Sequence, residues 1–163
     1  MEDKRNAFRK LHEAPGAFII PNPWDIGTAR ILAALGFPAL ATTSAGMAFS
    51  LGVAEGAVSR EDTLDHCRSI VAATLLPVSA DLEKGFGDSP ESAAETIQAA
   101  ANVGLAGCSL EDHTGRLDDP IYDFTQAGGR AHRGRRRGPP FSVSRFRANG
   151  ALREFSMGPR RSR

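Results

Sequence analysis

This chain lacks the features that mark secreted, membrane-spanning or dinucleotide-binding proteins. It has only two cysteines, Cys67 and Cys108. One falls in an apolar helix pattern and the other in an apolar strand pattern, with no metal-ligand spacing. They offer no disulfide framework and read as buried thiols of a reducing compartment. The start, Met1-Glu2-Asp3-Lys4, is charged and leads into no apolar stretch, so no signal peptide is expected. No apolar run approaches the ~20 residues that cross a bilayer. These absences lead us to expect a cytoplasmic protein with no membrane partner. No glycine-rich phosphate loop follows the first strand signal either, which counts against a dinucleotide fold.

Charge is abundant but unevenly placed. The net charge of +1 hides nine basic and eighteen acidic residues over 1–127, against eleven arginines, no lysine and one acid, Glu154, over 128–163. Such a basic end would ordinarily suggest a nucleic-acid or membrane contact.

Up to residue 127, strand and helix signals alternate. Ala17-Phe18-Ile19-Ile20 reads as a first strand stopped by Pro21-Asn22-Pro23. Asp25 is placed to cap a helix over 26–35. Pro38–Thr42 reads as a second strand, followed by a small-residue loop at Thr43-Ser44-Ala45-Gly46 and an irregular stretch to about 58. Ser59 with Asp62 fits a capping box for a helix over 60–74. Pro77–Asp81 gives a third strand. Ser89 with Pro90 opens a helix over 90–103, and Gly107–Leu110 gives a fourth strand. A further helix is expected near Asp123. The succession predicts an α/β protein with a parallel sheet. Polar residues follow every strand: Asn22 and Asp25, Thr43 and Ser44, Asp81 and Glu83, Glu111 and Asp112. That places them where the active site of an α/β barrel lies. A doubly wound sheet is the alternative.

The most informative string is Ser79-Ala80-Asp81-Leu82-Glu83-Lys84-Gly85-Phe86-Gly87. If the strand stays extended, Asp81 and Glu83 share a face and aim at one spot. Gly85 and Gly87 let the chain turn and a ligand approach. Hard carboxylate oxygens at a strand end suit Mg²⁺, which takes one or two carboxylates plus water and substrate oxygens.

Taken together, Asn22-Pro23-Trp24-Asp25, Thr43-Ser44-Ala45-Gly46, Ala80–Gly87 and Leu110-Glu111-Asp112 resemble the isocitrate lyase/phosphoenolpyruvate mutase superfamily, in its phosphonomutase-like branch. The resemblance covers roughly residues 7–127. It implies the N-terminal half of a (β/α)₈ TIM-type barrel that uses Mg²⁺, or Mn²⁺ in its place, to make or break C–C or P–C bonds in 2-oxo acids. Carried over by motif, Asp81 is the principal metal ligand, with Glu83 and Glu111 holding metal-bound waters. Asp25, Glu55 and Asp112 stand behind them, Glu55 at a position where many members have aspartate. Thr43, Ser44 and Ala45 match the loop that binds the substrate carboxylate. The substrate implied is a small 2-oxo acid or phosphonate, and family members assemble as homo-oligomers through late helices that this chain lacks. The lyases' cysteine loop is absent, Cys108 reads as a core thiol, and His113 reads as a rim residue. No catalytic acid or base is assigned. A pyruvate-handling aldolase-type barrel would share the strand-end carboxylates.

From Gly128 the resemblance stops, and residues 128–163 are expected to form a separate, disordered Arg-rich tail. Arginine without lysine, among Gly, Pro, Ala and Ser, is also what a GC-rich gene yields out of frame. Back-translating Ala148–Pro159 and dropping the first nucleotide permits L-T-A-R-C-E-N-F-L-W-G, with the Trp forced. Family members of this branch carry T-A-R-x-E-N-F-L-x-G-R at the fifth strand. A frameshift after about residue 127 is therefore expected, leaving a truncated barrel with exposed edges, poor stability and little activity. The competing reading makes the tail a nucleic-acid-binding segment on a non-catalytic scaffold.

Overall fold

The structure, a computed structural model, describes residues 3–129, 142–146 and 152–155. One sheet organises it, with strands β1 (Leu40–Ala41), β2 (Val78–Asp81), β3 (Gly107–Glu111), β4 (Ser142–Phe146) and β5 (Leu152–Phe155) side by side in that order. β1 to β4 run parallel and β5 returns antiparallel to β4. The register sets Asp81 opposite Ser109, so β2 and β3 end close together.

The helices form where caps and apolar spacing agree. α4 (Arg60–Ala73) starts at Ser59, whose hydroxyl oxygen accepts the Asp62 N–H at 3.1 Å. The reciprocal arm of the expected box is diverted, because the Asp62 carboxylate takes the Ser59 hydroxyl at 2.7 Å. Glu61 and Asp62 also complement the helix dipole. α5 (Pro90–Asn102) starts at Ser89 with Pro90 in its first turn, as its sequence requires. α2 (Ile26–Ala34) carries a complete capping box between Asp25 and Thr28. Cys67 and Ile70 of α4 and Ile97 of α5 pack with Leu40, Val78, Leu82, Leu105 and Cys108 with essentially no exposure. Both thiols are free and buried as expected, and burial pushes that of Cys67 up to about 12.

Three local features differ from the sequence reading. A helix the reading did not include, α1 (Lys4–Glu13), closes the far end of the sheet. Its Phe8 is buried against Ala39 and Ala106. Lys4 donates to the Thr74 carbonyl (2.9 Å) and Arg5 to that of Ala101 (2.7 Å), which satisfies helix-end carbonyls. Residues 17–20 are not a strand. They run beside β1 with an Ala41 N–H bond to the Pro21 carbonyl, Phe18 and Ile20 inward and Ile19 70% exposed. The loop at Thr43–Gly46 begins a short helix, α3 (Ser44–Ser50), capped by the Thr43 side chain.

The expected disordered tail lies mostly outside the described residues. Within it, however, β4 and β5 are strands. A helical stretch over 124–129 begins at Asp123, whose Oδ1 accepts the N–H of Thr125 and Gln126. Among the described residues, no helix is long and apolar enough to cross a membrane.

Candidate active site at the strand ends

β2 stops at Asp81, so the pleat does not bring Asp81 and Glu83 to one face as the sequence suggested. Leu82 drops into the core with no exposure, and Glu83 takes φ +48°. That left-handed conformation costs a non-glycine residue roughly 1–2 kcal/mol. The turn is fixed by Gly85 N–H on the Leu82 carbonyl (2.8 Å) and by Glu111 N–H on the Glu83 carbonyl (2.8 Å). Gly85 itself has φ +82°, and a Cβ there would lie 3.2 Å from the Ala93 backbone. A strained turn, rather than strand alternation, aims Glu83 at the same region as Asp81.

The Asp81 carboxylate is held on both oxygens. Oδ2 accepts the Ser44 hydroxyl at 2.6 Å and the Ser44 N–H at 3.1 Å, while Oδ1 accepts the Glu83 N–H at 3.1 Å. The Ser44 hydroxyl also lies 3.0 Å from Glu55 Oε1, which draws Glu55 in from the irregular stretch after α3. Four carboxylates thus feel one another. Burial first, then Asp81, Glu55 and Glu83, lifts the Glu111 carboxyl to about 7. Glu83 is raised by burial, then by Asp81 and Glu55, and Lys84 opposes the shift. Mutual repulsion among half-buried acids at strand ends is a signature of a functional site.

The other expected residues divide. Thr43 caps α3, its Oγ1 accepting the Gly46 N–H at 3.3 Å. Ala45 is half-buried in the first turn of α3. Ser44 spends its hydroxyl and N–H on Asp81, where the sequence reading gave them to a substrate carboxylate. Trp24 lies over this loop so closely that a Cβ on Gly46 would sit 2.5 Å from its ring. Asp25 is not brought to the acidic group; its carboxylate accepts the Thr28 N–H at 2.7 Å. Asp112 is buried, and its carbonyl accepts the Tyr122 N–H at 2.9 Å.

The acids line a cleft of roughly 750 Å³ shared by Glu55, Glu83, Glu111, Lys84, His113 and Arg116. Sequence reasoning missed Lys84 and Arg116, together with the Asp88 that joins them. A lysine inside the acidic string and the run Arg116-Leu117-Asp118-Asp119 after β3 were the available signals. Asp88 accepts from Tyr122 Oη at 2.6 Å and Lys84 Nζ at 2.9 Å, which holds its carboxyl down at about 2.

The donor chemistry fits a hard divalent cation. Glu55, Glu83 and Glu111 line one cleft, and Asp81 adds its repulsion to Glu83 and Glu111, a repulsion that a cation relieves. Among the described residues, no three acidic, His or Cys side chains stand close enough to ligate one ion directly.

The phosphoenolpyruvate phosphomutase family profile matches residues 8–144. The chain belongs to the isocitrate lyase/phosphoenolpyruvate mutase superfamily. A solved structure from Burkholderia cenocepacia J2315, provisionally a lyase/mutase, is 53% identical with a TM-score of 0.85, covering 90% of this chain and 54% of that one. The structure of 2,3-dimethylmalate lyase is 27% identical with a TM-score of 0.78, covering 91% and 55%. The probable 2-methylisocitrate lyase 2 of Corynebacterium glutamicum is 32% identical over 111 residues, 68% of this chain and 36% of the relative. This superfamily chain therefore spans about half the length of those solved relatives and well under half of that curated one. Its fold is the N-terminal half of their TIM-type barrel, and the profile match continues past Gly128, where the sequence resemblance stops.

Proposed function

We propose that this cleft is the metal-binding half of an active site that makes or breaks C–C or P–C bonds in 2-oxo acids or phosphonates through an enolate-like charge. The carrying observation is the convergence of Asp81, Glu83, Glu111 and Glu55, whose repulsion adds to burial in lifting Glu111 to about 7. Asp81 would hold Mg²⁺, directly or through water, and Glu83 and Glu111 would hold its waters. Bound there, the cation supplies Lewis-acid stabilisation of the negative charge that develops on the substrate oxygen.

The chain's own groups do the positioning. Ser44 and the Glu83 N–H fix both Asp81 oxygens in advance, so little reorganisation accompanies binding. Glu55 steadies Ser44 from the other side. Thr43 and Ala45 would face the substrate carboxylate, the Ser44 N–H being held by Asp81. Cys67 and Cys108 are too buried and too weakly acidic to serve as nucleophile or acid. Turnover is expected of the complete ring carrying these residues, and binding without turnover of these 163 residues alone.

Oxalate, a planar dianion shaped like the enolate of pyruvate, provides the test. Calorimetry should show it binding in Mg²⁺ and not in EDTA. Equal binding in both would contradict the proposal.

A further inference from the structure

The stretch between α3 and α4 is a lightly anchored part of the cleft wall. Residues 51–57 are all exposed, and Glu55 and Gly56 reach from them into the cleft lining. Both ends are fixed, by the Leu51 N–H on the Met47 carbonyl (3.1 Å) where α3 closes and by Ser59 capping α4. Between them Gly52 (φ +72°) and Gly56 (φ +80°) take left-handed conformations, and a Cβ on Gly52 would meet nothing within 4 Å. The Ala57 N–H on the Ala54 carbonyl (3.2 Å) closes a turn inside the stretch. Exposed backbone bonds and sparse packing mark segments that open locally at low cost.

A side chain ties this stretch to the strand ends. Glu55 Oε1 lies 3.0 Å from the Ser44 hydroxyl, which lies 2.6 Å from Asp81 Oδ2. A hydroxyl carries one proton, and the shorter contact gives Asp81 the larger share of it. Glu55 is therefore held by the weaker share of one hydrogen bond. It is held against like charge, because it adds repulsion to both Glu83 and Glu111. A Cβ on the adjacent Gly56 would stand 3.9 Å from Glu83 Oε2, so the backbone itself runs beside one of those acids.

We propose that residues 51–57 form a strap that a divalent cation closes over the cleft through Glu55. This inference rests on the cation site read at Asp81, Glu83 and Glu111. Positive charge there turns the net repulsion on Glu55 into attraction, and the strap moves in on Gly52 and Gly56. Val53, now 42% exposed, and Ala54 then cover the mouth beside Glu55. Keeping water from an enolate-like charge protects it from premature protonation. Glu55 is a positioning residue, since it sets the strap and touches no reacting atom.

Backbone hydrogen exchange read by mass spectrometry tests this on the 163-residue protein. Rates are compared in EDTA and in saturating Mg²⁺ at equal ionic strength, with calorimetry recording the bound ion and circular dichroism the fold of each variant. Strap amides should exchange about tenfold more slowly with Mg²⁺, the worth of a charge-assisted hydrogen bond. That slowing should exceed any change in α1, at the far end of the sheet. Glu55→Ala should abolish it. Glu55→Gln removes the charge and keeps the length, so its strap should lose the Mg²⁺ response. In EDTA it should also exchange more slowly than the unaltered strap, because the repulsion is gone. A glutamate with a merely structural role would give faster exchange there, and that result overturns the inference. Bound Mg²⁺ with unchanged strap exchange in the unaltered protein, or a slowing that survives both variants, likewise overturns this inference alone. A folded protein that binds no Mg²⁺ overturns the metal-site reading and this inference together.

Discussion

Glu111 carries the most perturbed carboxyl of the acidic group, and its titration has a definite sign. Its folded value of about 7 lies above the ordinary 4.5. The native state therefore holds a proton that the unfolded chain releases earlier. The associated stability is fully present below about 4.5 and is lost as pH rises through about 7. In EDTA, the melting temperature should fall between pH 5 and pH 8, and Glu111→Gln should flatten that slope. A slope unchanged in the variant would assign the effect elsewhere. Gly46 makes a second prediction. A methyl group there meets Trp24 at 2.5 Å, so Gly46→Ala should cost about 1–3 kcal/mol in urea unfolding. At this scale Asp81, Glu83 and Glu111 were legible because acids at successive strand ends converge in an α/β sheet. The means were not legible: Glu83 arrives by a left-handed turn, and Ser44 is bonded to an acid 37 residues away. No local pattern encodes either.

Elements were legible where cap and period agreed. α4 and α5 match the sequence reading to within a residue at each end, because Ser59, Ser89 and Pro90 mark their starts. Ser89→Ala should remove the acceptor for the Ser92 N–H and cost about 1 kcal/mol. Ile97→Ala, on the buried face of α5, should cost about 2–5 kcal/mol. Denaturant midpoints of the two variants would check that order, and an equal effect would contradict the packing described. α3 was read as a loop because seven residues rich in Ser, Ala and Gly carry little helical period. Residues 17–20 have a strand's composition, yet the backbone bond to β1 comes from Pro21, just past them. Pairing depends on a neighbour's register, which a single apolar run does not specify.

The whole molecule joins a superfamily α/β half-barrel to an arginine-rich end. The parallel pairing of the strands was legible from the strand–helix alternation, and with it the gathering of polar residues at the strand ends. β4 was not foreseen, because residues 128–141 interrupt the pattern before it. We propose a frame change in that interval. Reading the coding DNA across codons 120–135 should reveal a one-base correction that opens T-A-R-C-E-N-F-L-W-G and a full barrel. A frame that stands as written would contradict it and make the arginines a genuine part of the protein.

Whether Asp81, Glu83 and Glu111 bind a divalent cation is decided by Mn²⁺ titration followed by electron paramagnetic resonance. We predict one saturable Mn²⁺ per chain, displaced by Mg²⁺, with affinity at least about tenfold weaker in a folded Asp81→Asn variant. Mn²⁺ binding undiminished in that variant, or absent from the folded unaltered protein, would contradict the claim.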